Sequence, residues 1–170
     1  AGTYETFLWT RHDAGVMSLF MMSEILVYGG LFLSAFTSAT LLPGSSEAVL
    51  AALVASGNHD VALLVLVATL GNVAGSLINW LLGLAIERYR HARWFPVSDR
   101  DYQRACHWFC RFGLWALLFS WLPVIGDPIT LVAGAMRVRF IPFILLVTLG
   151  KAARYSMVAG GVGWLADFFG

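Results

Sequence analysis

Leu42-Pro43-Gly44-Ser45-Ser46-Glu47 interrupts an apolar run that begins at Met17. Proline lacks a backbone N–H and clashes with the preceding turn, and glycine carries no side chain to hold a helix, so the pair ends one. Ser45 and Ser46 then supply capping hydroxyls, and Glu47 a carboxylate for the first turn of a new helix. This second arm runs from Ala48 to Ala55 and stops at Gly57-Asn58-His59-Asp60, a turn signal. An arm of about ten residues reaches roughly 15 Å, half of the approximately 30 Å hydrocarbon core. A chain that enters, breaks at Pro43-Gly44 and leaves on the same side fits these lengths. Such a re-entrant hairpin requires protein or water to cover its broken backbone.

The pattern returns 80 residues later, where Leu42-Pro43-x-x-x-Glu47 is matched by Leu122-Pro123-x-x-x-Asp127. Gly126 and Pro128 flank Asp127 and complete the second break, between apolar arms Leu114–Leu122 and Ile129–Met136. A second match, Thr69-Leu70-Gly71-Asn72-x-Ala74 with Thr148-Leu149-Gly150-Lys151-x-Ala153, has an offset of 79. Two matches in the same order at nearly one offset identify an internal repeat. Each copy is a hairpin followed by a spanning helix, Val61–Ile86 in the first and residues 140–166 in the second. Each copy then crosses the membrane once and the second is inverted, provided the 100–112 helix does not span. The alternative, residues 25–56 crossing fully as one kinked helix, is opposed by the 43–47 break and the short second arm. Inverted repeats with broken helices at the midplane are a transporter architecture.

Composition agrees with lipid as the solvent. The 170 residues are 59% hydrophobic and 12% charged, with mean hydropathy +0.74, against about 25% charge in soluble domains. The expected fold is an all-α integral membrane domain over residues 17–170. Repeat 1 covers about 25–86, a connector 87–112, and repeat 2 about 113–166. Residues 1–16 read as a polar, irregular N-terminal extension. The connector holds Arg88, Arg90, Arg93, Arg100, Arg104 and Arg111, six of the eleven Lys and Arg, so the basic loop 87–111 is assigned to the cytoplasm by the positive-inside rule. Tyr102, Ala105, Trp108, Phe109 and Phe112 recur at helical spacing opposite its arginines, as in an amphipathic helix on the membrane surface. A net charge of +1 gives no case for nucleic acid. Cys106-His107-x-x-Cys110 lacks a distant ligand pair for zinc, and neither metal nor cofactor is expected. The sequence contains no nucleophile–base pair, which argues against an enzyme.

Glu47 and Asp127 occupy the two hairpin tips, which the topology brings together near the midplane. A carboxylate there costs about 2.5–3.5 kcal/mol on insertion scales. A partner, water or protonation must offset that cost, which makes the two acids candidates for transport and proton coupling. Lys151 and Arg154 lie three apart on one face of the last span and are the natural partners. Together with the N-terminal ends of the two half-helices they could hold a lipid phosphate. Arg137 and Arg139, at the mouth of the second hairpin, would collect anionic headgroups. The competing reading is a structural ion-pair network that pins the helices, with Arg137 and Arg139 as topological anchors. Ser45 and Ser46 read as caps, and Asn72 and Asn79 as interhelical donors. Gly71-x-x-x-Gly75 reads as a close-packing face that would also suit a homodimer.

At Leu-Leu-Pro-Gly-Ser-Ser-Glu47 and Ser-Trp-Leu-Pro-Val-Ile-Gly-Asp127 the chain resembles the DedA family, also called the SNARE-associated or VTT-domain family, and within it the small bacterial YqaA-type branch. The resemblance runs from about Leu31 to Trp164 and includes Ala133-Gly134-x-Met136 and Leu-Gly-Lys151-Ala-Ala-Arg154-Tyr155. It implies opposed re-entrant hairpins in a multi-pass protein of the bacterial inner membrane. It also implies movement of lipids between leaflets by a flippase or scramblase, undecaprenyl phosphate or phospholipid, coupled to the proton motive force. Glu47 matches the family's first-hairpin acid. Many members carry arginines three before and three after the second hairpin's proline; here those positions are Ser120 and Gly126. A proton-coupled transporter of a small ion or solute, or a non-transporting scaffold, would use the same cluster.

Overall fold

The computed structural model describes residues 3–39, 45–85, 99–122 and 125–169. Pro43, Gly44 and Pro123 lie outside the described residues, as does 86–98 of the basic loop. Two compact units divide the chain, Ala1–Gly30 and Leu31–Gly170.

The described residues are helical: α1 Thr3–Ser38, α2 Ser45–Ala55, α3 Val61–Leu84, α4 Asp99–Phe112, a 3-10 helix Gly113–Trp121, α5 Gly126–Ala135 and α6 Phe140–Phe169. Three segments are long and apolar enough to cross a membrane: Met21–Ser38 of α1, all of α3, and Phe140–Leu165 of α6. The N-terminal residues, read from sequence as irregular, are helical from Thr3 onward. The arm after α4 also differs from expectation. It is a 3-10 helix of nine residues, and Gly113, at φ 57°, closes α4 and starts it. At about 2.0 Å rise per residue it reaches roughly 18 Å, further than an α-helix of equal length.

In the larger unit, α3 packs on α2, α5 and α6, and α6 packs on α2, α3 and the 3-10 helix. Close approach replaces side-chain interdigitation where helices cross. A Cβ on Gly83 would stand 2.0 Å from the Leu131 carbonyl oxygen, and one on Gly134 would stand 2.0 Å from that of Trp80. The α3 and α5 backbones are therefore in direct contact. Trp80 covers this crossing, its ring 5.6 Å from Phe143 and 5.8 Å from Phe140. The Gly71–Gly75 face, expected to suit a homodimer, packs within the chain: added Cβ atoms would meet the carbonyl oxygens of Phe32 at 2.5 Å and Phe36 at 2.7 Å. Asn72 and Asn79 donate across the same contact to the carbonyls of Ala35 (3.0 Å) and Ala39 (2.9 Å). Leu117, Ile129, Val132, Ala133, Phe143 and Val147 form the apolar core beside it.

The turns that close the two short arms share a conformation. Gly57 after α2 and Arg137 after α5 both have positive φ, 67° and 53°. Each donates its N–H three residues back, to Val54 (3.1 Å) and Gly134 (2.9 Å). Val138 adds a bond to the Ala133 carbonyl at 2.9 Å, completing a Schellman cap with arginine where glycine is usual. α3 then starts at Asp60, whose carboxylate accepts from Leu63 N–H at 2.9 Å. Arg100, Arg104 and Arg111 of α4 are exposed. The apolar side of α4, expected on the membrane surface, is partly used inside the protein: Phe109 is buried, and Trp108 sits 5.5 Å from Phe119 of the 3-10 helix.

Candidate functional site

Glu47 lies in the first turn of α2 and Asp127 in the first turn of α5. The free N–H groups and dipoles of these turns favour acidic side chains. Both carboxylates engage α6. Glu47 Oε1 accepts from Arg154 Nε in a short ion pair. Asp127 Oδ1 faces Lys151 Nζ at 3.5 Å. The first turns of α2 and α5 thus hold cations one helical turn apart on α6.

Lys151 has a second partner, since its ammonium donates to the Asn72 side-chain oxygen and approaches the Asn72 carbonyl at 3.4 Å. Asn72 is therefore both the interhelical donor anticipated from sequence and an acceptor for the buried lysine. Next along α6, the Tyr155 and Ser46 hydroxyls are hydrogen bonded at 2.8 Å, both buried. This corrects the reading of Ser46 as a helix cap. Its neighbour Glu47 points at Arg154, so two consecutive residues of α2 meet two consecutive residues of α6. Neither Ser46 nor Tyr155 was singled out from sequence as a functional pair. A buried serine beside a tip acid, and a tyrosine beside an intramembrane arginine, were the available signals.

Exposure divides the cluster by sign. The side chains of Lys151 and Arg154 are 2% and 13% exposed, and those of Asp127 and Glu47 are 30% and 29%. The acids are the more exposed members of each pair, although the Asp127 Oδ1 that faces Lys151 is itself buried. Arg154 Nη2 is buried with no hydrogen-bond partner among the described residues, as is the Ser120 hydroxyl. A guanidinium with one arm on a carboxylate and a second arm free can still receive an oxygen from another anion.

The remaining candidates sit elsewhere. Arg137 and Arg139 are exposed on the turn between α5 and α6. Arg137 is ten residues from Asp127, roughly 15 Å along α5. Gly126 and Pro128 are buried at the start of α5. A Cβ on Gly126 would lie 2.1 Å from the Ser120 carbonyl oxygen. The 3-10 helix and the start of α5 touch backbone to backbone there, which leaves no room for a longer side chain at Gly126.

A VTT domain matches residues 42–162, from just before α2 through most of α6. The chain is 46% identical over 140 residues to the inner membrane protein YqaA of Escherichia coli, covering 81% of this chain and 92% of that one. An uncharacterised Haemophilus influenzae protein is 40% identical over 135 residues, covering 74% and 80%. Undecaprenyl phosphate transporter A of Staphylococcus aureus is 27% identical over 155 residues, covering 84% and 76%. No solved structure matches. The matched region holds both acid-bearing helix starts and the helix that pairs with them, and on this ground the chain belongs to the VTT-domain or DedA family, in its YqaA-type branch.

Proposed function

We propose that this protein is a multi-pass transporter of the bacterial inner membrane that moves an anionic lipid, undecaprenyl phosphate or a phospholipid, between leaflets. Lys151 and Arg154 take the headgroup phosphate, and Glu47 and Asp127 are proton-binding gates. One observation carries the reading: both hairpin-tip acids are paired with cations on the same membrane span. A scaffold would need only neutral packing at this depth, where each charge is costly. The names of the Escherichia coli and Staphylococcus aureus relatives, an inner membrane protein and a transporter, support the location and the class.

Several contacts favour the inverted-repeat arrangement on which the mechanism depends. α2 and α5 end 80 residues apart, at Ala55 and Ala135, and their left-handed caps Gly57 and Arg137 keep the same spacing. α3 and α6 begin 79 residues apart, at Val61 and Phe140. α3 packs on the short arm of the second hairpin, and α6 on that of the first. Under this arrangement the turn with Arg137 and Arg139 shares the cytoplasmic side with the loop 87–111, and the turn with Asp60 faces outward. Arg137 and Arg139 then gather anionic headgroups from the inner leaflet.

The tight Ser120–Gly126 contact supports phosphate partners elsewhere in the site. Ser120 and Gly126, where the family resemblance implies arginine, are small, and Gly126 has no room for a side chain. The positive charge comes instead from α6.

Reconstitution into liposomes with a leaflet-resolved lipid assay tests the reading. Transport is expected with the native protein and lost in a Glu47→Gln, Asp127→Asn double variant. Unchanged transport in that variant would sink the gating role, and no transport of any anionic lipid by the native protein would sink the function.

A further inference from the structure

The four ionised side chains of the cluster cancel. Glu47 and Asp127 carry two negative charges, Lys151 and Arg154 two positive ones, and each acid has a cation within ion-pair reach. Little else contributes. α3 has no charged residue between Val61 and Leu84, and the 3-10 helix has none. α2 contributes only Glu47. Of α4, which packs on α5, the side chains of Arg100, Arg104, His107 and Arg111 are exposed. Tyr155 and Ser46 are neutral hydroxyl partners. Among the described residues, resting neutrality is therefore a property of these four groups.

We infer that transport is electroneutral, with the cluster taking up one proton for each negative charge on the headgroup: one for a phosphodiester lipid and two for a phosphomonoester dianion. This rests on the transporter reading above and adds its coupling ratio. The argument is charge conservation in a low-dielectric site, where an uncompensated charge is expensive. An arriving phosphate needs the donors that Glu47 and Asp127 hold. Protonating Glu47 releases Arg154 Nε, and protonating Asp127 releases Lys151 Nζ. Arg154 Nη2 has no hydrogen-bond partner among the described residues. The acids are the more exposed members of each pair, and both proton and headgroup arrive at them. Once protonated they are donors, so they can bond the phosphate rather than repel it. On the far side the headgroup leaves, each carboxyl gives its proton to water, and each carboxylate returns to its cation. Lys151 and Arg154 stay charged throughout. The loaded and the empty protein are both neutral at the site, so neither leg of the cycle moves net charge.

The test uses the full-length protein in proteoliposomes with two probes, fluorescent phosphatidic acid as the phosphomonoester and fluorescent phosphatidylglycerol as the phosphodiester. Potentials are set with potassium and valinomycin, and both compartments are kept alkaline enough that phosphatidic acid is a dianion. One net charge moved across 100 mV would change the steady-state leaflet ratio about 50-fold. The expected change is less than about twofold on that scale. A gradient of one pH unit should instead shift the ratio about tenfold for phosphatidylglycerol and about a hundredfold for phosphatidic acid, one factor of ten per proton. In Asp127→Asn, with one proton site removed, phosphatidic acid should fall to about tenfold and become sensitive to potential. Movement that follows potential and ignores the pH gradient overturns the inference and leaves the transporter reading intact. Movement that ignores both overturns it equally. No movement of either probe overturns the transporter reading, and the inference with it.

Discussion

Asn72 and Lys151 occupy the same place in two copies of one motif, after Gly71 and Gly150, and their side chains are hydrogen bonded to each other. Two residues that match in the sequence motif thus meet directly in the structure. The preceding glycines make the approach possible: Gly71 lies against the Phe32 carbonyl, and Gly150 against that of Leu118. The polar cluster is built around this point.

Replacing Asn72 tests that centre. Asn72→Ala leaves the Ala35 carbonyl and the Lys151 ammonium each short of a partner. A buried group left unsatisfied costs about 1–3 kcal/mol. Thermal unfolding of the detergent-solubilised variant should reveal a lowered midpoint, and an unchanged midpoint would mean that water replaces the amide.

The Glu47–Arg154 pair is accessible to a double-mutant cycle. Removal of either partner strands the other beside the membrane interior, while Glu47→Gln with Arg154→Gln removes both charges. Because the pair is partly exposed, the coupling is expected at about 1–3 kcal/mol, below that of a fully buried pair. Stability measurements giving no coupling would contradict the geometry.

The α3–α5 crossing should be intolerant of volume. Gly83→Val or Gly134→Val forces a Cβ onto a carbonyl oxygen at 2.0 Å, and the helices must separate. The expected loss is about 3 kcal/mol or more, at the upper end of overpacking, read as aggregation on size-exclusion chromatography. Gly160→Ala in α6, where nothing lies within 4 Å, is the matched control and should be near neutral.

Arg137 separates conformational from electrostatic effects. Its left-handed φ suits glycine, so Arg137→Gly should raise stability by about 1 kcal/mol, whereas Arg137→Ala should not. If the guanidinium collects headgroups, both variants should slow transport alike. A rate that follows stability instead would assign Arg137 to the cap alone.

Hydropathy and breakers made much of this fold legible. Pro43-Gly44, the Gly57–Asp60 turn and the apolar run from Val61 marked α2 and α3 to within a few residues, because lipid demands long apolar helices and polar turns. Charge in an apolar span likewise singled out Glu47, Asp127, Lys151 and Arg154, since few other reasons exist for it to be there. Which acid meets which base was not legible, because that depends on the rotation of α6 against two other helices. Nor was the 3-10 form of residues 113–121, since a uniformly apolar run has no period from which to tell one helix from another. Ser46 was misread because a serine before a helical run has the same sequence signature whether its hydroxyl caps the backbone or crosses to Tyr155.

Lys151 and Arg154 belong to one rigid rod. A turn or slide of α6 that draws Arg154 from Glu47 also carries Lys151 relative to Asp127 and Asn72. Glu47 and Asp127 cannot be released by independent motions of their partners; a single displacement addresses both. The starts of α2 and α5 are thereby tied to one shared lever, with the two acids as its opposite stops.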